Sequence, residues 1–392
     1  MRTKSLALVA LLVSASLVAP AAMAAESSSD QAAVQADQQA SSNAAGSAYA
    51  GSNIAFDTEQ NAVVDYRVDG ETLIESTTVE SESGAESNGS VGLDVALTAV
   101  TNLSGSTVAL ESQSDAQASV STDSSASLTA HDNEHGILVV HSNEESQYVT
   151  ANVSSSADVE SESDARVHVT NEDGTEGSFI VAGEGNVTVN EDGNVSAWLD
   201  SDSQLVFRAY ADGRSDADEE QESLIAEGKA TAEVYIMSQD GETVNDTVTY
   251  DGETSVSVEE RADGSLTMTA ERSSSEGTVI ITSVSNETLD TSGDLDVSVD
   301  GEAAAEASSY SDLEAATDDG DSSKYMVRQS SNASANADVL VGVNHFSSRE
   351  VKMADATNSN ADASSSGGVP GFELTTGLGA LAGVSFLAFR HR

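Results

Sequence analysis

Residues 254–272 read TSVSVEERADGSLTMTAER. Val256 and Val258 alternate with Ser255 and Ser257, Leu266, Met268 and Ala270 alternate with Thr267 and Thr269, and Asp263-Gly264 separates the two runs. A period of two places the apolar side chains on one face of a strand and the hydroxyls on the other, and an Asp-Gly pair tolerates the positive φ of a tight hairpin turn. The stretch predicts a hairpin with one buried face. Alternation recurs at Val63–Val68 and Val187–Val189, and further Asp-Gly pairs begin at Asp69, Asp173, Asp192, Asp240, Asp251 and Asp300. The expected fold is all-β, an antiparallel, hairpin-rich sandwich or elongated sheet. Ile137–Val140, Phe179–Val181 and Val279–Ile281 are apolar on both faces and should be central strands. One helix is expected between Glu302 and Ala316, where AAAEASS and DLEAA avoid β-branched residues.

The composition says which core and which solvent suit such sheets. Aromatic residues are 4% of 392, Trp198 is the single tryptophan, and there is no cysteine. The core must therefore come mainly from Val, Leu, Ile and Ala, without disulfides, thiolate metal sites or cysteine nucleophiles. Asp and Glu number 67 against 15 Lys and Arg, a net charge of -52. Repulsion on that scale opposes compactness at 0.01 M salt, where the Debye length is ~30 Å, and is largely screened at 1 M, where it is ~3 Å. The chain fits strong brine. Phosphate recognition needs clustered Lys and Arg, so nucleic acid is excluded as a partner.

The two ends differ from the acidic body. Arg2 and Lys4 precede an apolar run from Leu6 to Val18, and Ala22-Met23-Ala24 forms a small-x-small site. This is the pattern of a secretory signal peptide over 1–24, cleaved after Ala24. Residues 25–53 are rich in Ser, Ala, Gln and Asp and read as a flexible tether. The β-rich region is expected over 54–350, with a division into two subdomains near 133/134, followed by a polar linker over 351–369. Between Glu373 and Arg390 lie sixteen uncharged residues, a C-terminal apolar helix. At ~1.5 Å per residue it spans ~24 Å, against a hydrocarbon core of ~30 Å. Arg390 and Arg392 would hold its end on the cytoplasmic side, leaving the body outside.

Pro370-Gly371-Phe372, this short helix and the terminal Arg-His-Arg together resemble the PGF-CTERM sorting signal of archaeal surface proteins. The resemblance covers about the last 23 residues. It implies recognition by archaeosortase A, removal of the helix and attachment to a prenyl-type lipid of the archaeal membrane. The segment from Ala354 to Gly368 lacks the Thr-rich spacer common upstream of that signal, which leaves an unprocessed single span as the alternative. The expected location is the extracellular side of the plasma membrane of a salt-loving archaeon. A surface lattice or surface polysaccharide are further partners this placement allows.

Reactive residues are few once the acidic background is discounted. His131, Glu134, His135 and His141 form the densest set of ligand types. A zinc-protease helix needs Glu directly after the first His; here Glu134 precedes the second, so a metal site competes with a polar hairpin loop. Asp216 and Asp218, with Glu220 and Glu222, approach the spacing of a calcium loop, but Gln221 stands where its glycine belongs. No nucleophile elbow or P-loop appears, and no cofactor or catalytic residue is assigned. Trp198, on an alternating strand, is expected in the core. Asn88, Asn102, Asn152, Asn186, Asn194, Asn245, Asn286 and Asn332 begin N-x-S/T sequons, acceptable glycan sites in an exported chain. The sequence favours a non-enzymatic envelope protein with a structural or interaction role. The rival is a polysaccharide- or metal-binding module or a surface hydrolase.

Overall fold

The computed structural model describes residues 47–355 apart from 93–94, 240–241, 263, 286–287, 292–294, 319, 330–335 and 347. Ala22, Ala24, Pro370, Gly371, Phe372 and the apolar run after them lie outside the described residues. The first strands are β1 (Ala48–Ala50), β2 (Ile54–Glu59), β3 (Ala62–Val68) and β4 (Glu71–Ser81), followed by helix α1 (Glu82–Asn88). Next come β5 (Val108–Gln113), β6 (Gln117–Thr122), β7 (Ala126–His131), β8 (Leu138–Ser142) and β9 (Gln147–Asn152). They are followed by β10 (Asp158–Ser163), β11 (Arg166–Thr170), β12 (Glu176–Ala182), β13 (Gly185–Val189), β14 (Val195–Leu199) and β15 (Gln204–Tyr210). Helix α2 (Asp216–Ala226) leads to β16 (Ala230–Gln239), β17 (Glu242–Thr249), β18 (Thr254–Ala262), β19 (Ser265–Arg272) and β20 (Glu276–Ser285). The described residues finish with β21 (Leu295–Val299), β22 (Glu302–Ala303), β23 (Ala305–Glu306), α3 (Tyr310–Thr317), β24 (Lys324–Gln329), β25 (Asn336–His345) and β26 (Ser348–Asp355).

These strands make four sheets. Sheet I runs β1-β2-β3-β4-β9-β14-β13 and sheet II β10-β11-β12-β15-β8-β7-β6-β5. Sheet III runs β17-β16-β20-β25-β24-β23 and sheet IV β18-β19-β26-β21-β22. Pairing is antiparallel except between β16 and β20 and between β23 and β24. The opening hairpin forms as read: Ala262 lies opposite Ser265, and Gly264 takes φ 71°. Asp69-Gly70 and Asp300-Gly301 have positive φ at both residues and close two-residue hairpins, the geometry that matches strand twist. Asp251-Gly252 behaves differently. It links β17 of sheet III to β18 of sheet IV, and Gly252 is not among the positive-φ glycines.

The sheets stack as layers because the central strands of II and III, among them β12, β15 and β20, are buried on both faces. Between I and II lies a core that includes Phe56, Tyr66, Leu128, Val149, Phe179 and Phe207. The opposite face of sheet II gives Ile137, Val139, Ile180 and Val206 to a second core with Tyr235, Val248, Val279 and Ile281 of sheet III, Leu224 and Ile225 of α2, and Leu313 of α3. A third core joins Val234, Ile236, Ile280 and Val341 of sheet III to Leu266, Met268, Val297 and Met353 of sheet IV. The three doubly apolar runs are central for this reason: β8 lies between β15 and β7, β12 between β11 and β15, and β20 between β16 and β25.

Several expected boundaries move. β1 begins inside the expected tether, with Tyr49 buried at 5% exposure, so ordered structure starts before residue 54. β26 continues to Asp355, held by β19 and β21, so the linker cannot begin at 351. The division near 133/134 falls between β7 and β8, which pair within sheet II. Strands change from sheets I and II to sheets III and IV only across α2. The expected helix over 302–316 is two short strands followed by α3, because Ser309 is extended and its hydroxyl caps Asp312 N–H.

Phe207 is 2% exposed, with its ring centroid 4.8 Å from that of Phe179 and 6.3 Å from that of Tyr66. Phe207→Ala is expected to lose about 3–5 kcal/mol of unfolding free energy in denaturant titrations at high salt, and Val256→Ala, at a half-buried position, about 1 kcal/mol.

Candidate functional site

The dense set HDNEH, His131 to His135, occupies the turn from β7 to β8 and divides its side chains among three layers. His131 N–H bonds Ile137 C=O at 2.7 Å and Gly136 N–H bonds Asn133 C=O at 2.9 Å, closing the turn. Asp132 points to sheet I: its carboxylate accepts the N–H groups of Ser52 and Asn53 at 2.6 Å each and of Ile54 at 3.0 Å. A Cβ on Gly51 would lie 2.0 Å from Asp132 Oδ2, so only glycine admits this approach. His131 and Asn133 reach sheet III, where the Asp246 carboxylate pairs with His131 Nδ1 at 2.8 Å and accepts from Asn133 Nδ2 at 2.9 Å. Glu134 accepts from Ser283 Oγ at 2.6 Å on β20 and from Asn336 Nδ2 at 2.7 Å on β25. The His135 ring sits 5.4 Å from Tyr210 and 6.1 Å from Tyr235, with Nδ1 donating to Ala209 C=O at 3.1 Å.

The seam continues through residues that the sequence did not single out. Arg208, 1% exposed on β15, approaches Glu233 of β16 at 3.3 Å and donates to Gln221 Oε1 of α2 at 3.3 Å. Glu233 keeps the guanidinium charged against the opposing effect of burial. Gln221 Nε2 in turn donates to Asp338 of β25 at 2.7 Å. A sequence signal for Arg208 existed: it is the one charge inside QLVFRAY, where every residue is buried.

The metal candidates are put to other uses. Asp216 and Asp218 lie in the first turn of α2 rather than in a loop, and Asp218 and Ser215 form a reciprocal capping box. Negative side chains there also complement the helix dipole. The Ser215-x-x-Asp218 spacing before Leu224 and Ile225 was the missed helix signal. Glu222 is buried, accepting from Tyr210 OH at 2.6 Å and from Arg214 Nε at 3.0 Å. His131 and His141 line one groove of about 340 Å³, while His135 lines another cleft. Among the described residues no three His, Asp or Glu gather as a group that could hold a metal ion.

The cleft holding His135 is about 160 Å³ and is bordered by Asp69, Glu134, Asp212, Asp218, Arg328 and Asp338. Burial, assisted by Asp212, raises the Asp69 carboxyl above its ordinary range. Asp338 is pushed up to about 6, chiefly by burial and also by Glu134 and Glu233, against the Gln221 hydrogen bond and His135, which favour its charge. The cleft can hold a proton on Asp338 in mildly acidic medium. Its other inner carboxylate, Glu134, is engaged by the two donors from sheet III.

Trp198 is not in this cleft, and it is not in the core. Val195, Ala197 and Leu199 of β14 face inward and are buried, which sends Trp198 to the outer face of sheet I, where it is half-buried. Of the sequons, Asn88, Asn102 and Asn186 are exposed, Asn152, Asn194 and Asn245 are half-buried, and Asn286 and Asn332 lie outside the described residues.

No protein-family model and no curated protein matches this chain. Among the described residues no helix is long and apolar enough to cross a membrane.

Two outcomes follow from the seam. Asp132→Ala leaves three backbone N–H groups without their carboxylate and is expected to lose on the order of 3 kcal/mol in chemical denaturation, with Asp132→Asn losing less. The folded-state pKa of Asp338 lies above its unfolded value, so the stability it contributes is full below pH ~4 and is lost as pH rises through about 6. Asp338→Asn keeps an acceptor for Gln221 and is expected to raise the thermal midpoint at pH 7.5 but not at pH 3.5. An equal shift at both values would contradict the assignment.

Proposed function

We propose that the chain is an exported, surface-anchored protein of a salt-loving archaeon, with a structural or interaction role in the envelope rather than an enzymatic one. The observation that carries this reading is the direction in which the reactive side chains are spent. Asp132, His131, Asn133 and Glu134, the densest set in the sequence, join sheets I, II and III instead of converging on open space. A catalytic group must reach the reacting atoms of a substrate with a proton or lone pair still available. Glu134 has both oxygens engaged, and His131 is 5% exposed against Asp246.

The anchoring half of the proposal is supported by the chain ends. A signal-type segment through Ala24 and the Pro370-Gly371-Phe372 segment with its short apolar helix fit delivery across a membrane followed by processing. The acidic body then faces the external medium, where salt supplies the screening.

Intact-mass measurement of protein extracted from membranes of the producing cells tests both ends together. The expected species begins at Ala25, lacks the apolar helix and carries a lipid-sized adduct. A species that retains Phe386 to Arg392 and carries no adduct would overturn the processing assignment.

A further inference from the structure

The half-buried tryptophan on sheet I lies directly beside an exposed sequon. Asn186 of β13 is the cross-strand partner of Trp198, and Tyr148 of β9 is its partner on the other side. Such partners have Cα atoms about 5 Å apart and project their side chains from the same face. Asn186-Val187-Thr188 satisfies the N-x-T pattern, and the strand turns Val187 into the core while Asn186 faces out and is exposed. β13 is the edge of sheet I, yet its backbone is already covered: Val187 N–H bonds Asp164 C=O at 2.8 Å and Val189 N–H bonds Ser161 Oγ at 3.1 Å. What stays open on this edge is the Asn186 side chain.

Of the other described sequons, Asn102 is exposed but lies in no strand, and three have engaged amides. Asn88 Nδ2 donates to Glu80 at 2.8 Å, Asn152 Nδ2 donates to Ser76 at 2.9 Å, and Asn194 Oδ1 accepts from Val153 N–H at 3.1 Å. Among the described residues neither the Asn186 side-chain amide nor the Trp198 indole N–H makes a hydrogen bond, and Trp198 stacks on no other ring. A large aromatic surface left half open beside a free amide suits one kind of occupant. A pyranose presents an apolar face of C–H groups to an indole and its hydroxyls to water, so a sugar joined at Asn186 could cover the ring without losing hydration.

We propose that Asn186 carries an N-linked glycan whose first sugar packs on Trp198. In the transfer step a lipid-phosphate-linked sugar is the donor. The Asn186 Nδ2 to anomeric carbon bond forms, the anomeric carbon to phosphate oxygen bond breaks, the amide loses one proton, and the lipid phosphate leaves. The inference rests on the exported location proposed above.

The test is peptide mass spectrometry on protein purified from the producing cells, combined with acrylamide quenching of tryptophan fluorescence excited beyond the tyrosine absorption band, which reports Trp198 alone because no other tryptophan exists. The Asn186 peptide is expected to carry a sugar mass that Thr188→Ala abolishes. In the same variant the quenching constant is expected to rise about twofold as the indole face opens to solvent. Ser104→Ala, which removes the Asn102 sequon, is expected to leave quenching unchanged. Glycan at Asn186 with identical quenching in the parent and Thr188→Ala overturns the stacking. A bare Asn186 overturns the inference, and the N-terminus in the same sample then separates the two readings: Ala25 leaves export standing, whereas an intact segment 1–24 removes export as well.

Discussion

Sheet II is buried on both faces along β12 and β15 and from Leu138 to Val140 of β8, and the rest of the structure depends on that constraint. A polar side chain buried in that region must find a partner inside the protein or remain unsatisfied in a dry interior. The turn after β7 meets the demand in both directions, since Asp132 binds sheet I while His131, Asn133 and Glu134 bind sheet III. Apolar burial between layers is proportional to area and tolerates sliding. Hydrogen bonds of fixed direction do not, so this turn sets where the layers sit relative to one another.

Arg208 and Glu233 meet the same constraint less completely. Their 3.3 Å separation lacks hydrogen-bond alignment, and Arg208 Nε and Nη1, Glu233 Oε1 and Tyr250 OH have no hydrogen-bond partner. Such a pair contributes little net stability over an apolar pair of similar volume, but removing one member strands the other charge. Its effect is therefore on register. Sheet III is acceptable only where Glu233 faces Arg208, which adds specificity to a core otherwise built of interchangeable Val, Ile and Leu.

How much of this was legible in the sequence depends on the distance over which each signal acts. Hairpins at Asp69-Gly70, Asp263-Gly264 and Asp300-Gly301 were readable because backbone geometry at two residues decides them. The doubly apolar runs were readable as central strands because burial on both faces erases alternation. The layer division was not readable at 133/134. The Ser- and Asp-rich stretches before it look like a looser sheet, while the contacts that tie the turn at 131–134 to the other layers reach Ser52, Asp246, Ser283 and Asn336, up to about two hundred residues away. Trp198 was misplaced for a related reason. Alternation in VSAWL fixes that Ala197 and Trp198 face opposite ways, but only the fold says which way is inward, and the three smaller side chains took the core. The capping signal at Ser215 was present and local, and the acidic residues after it were weighed as ligands instead.

The scarcity of basic residues gives the surface and the seam different responses to salt. Arg166, Arg208, Arg214, Lys229, Arg272, Lys324 and Arg349 each pair with a carboxylate, and Arg328 lies 5.1 Å from the Tyr310 ring centroid. Few cations remain for the outward-facing carboxylates, whose mutual repulsion only solvent ions can reduce. Dissolved ions screen exposed charges within a Debye length but do not enter the space between packed sheets. Raising the salt concentration thus weakens the repulsion that opens the molecule while leaving Arg208 with Glu233 and Asp246 with His131 almost untouched. The strongly acidic composition is compatible with a stack held by buried polar contacts because the two sets of charges occupy different solvents.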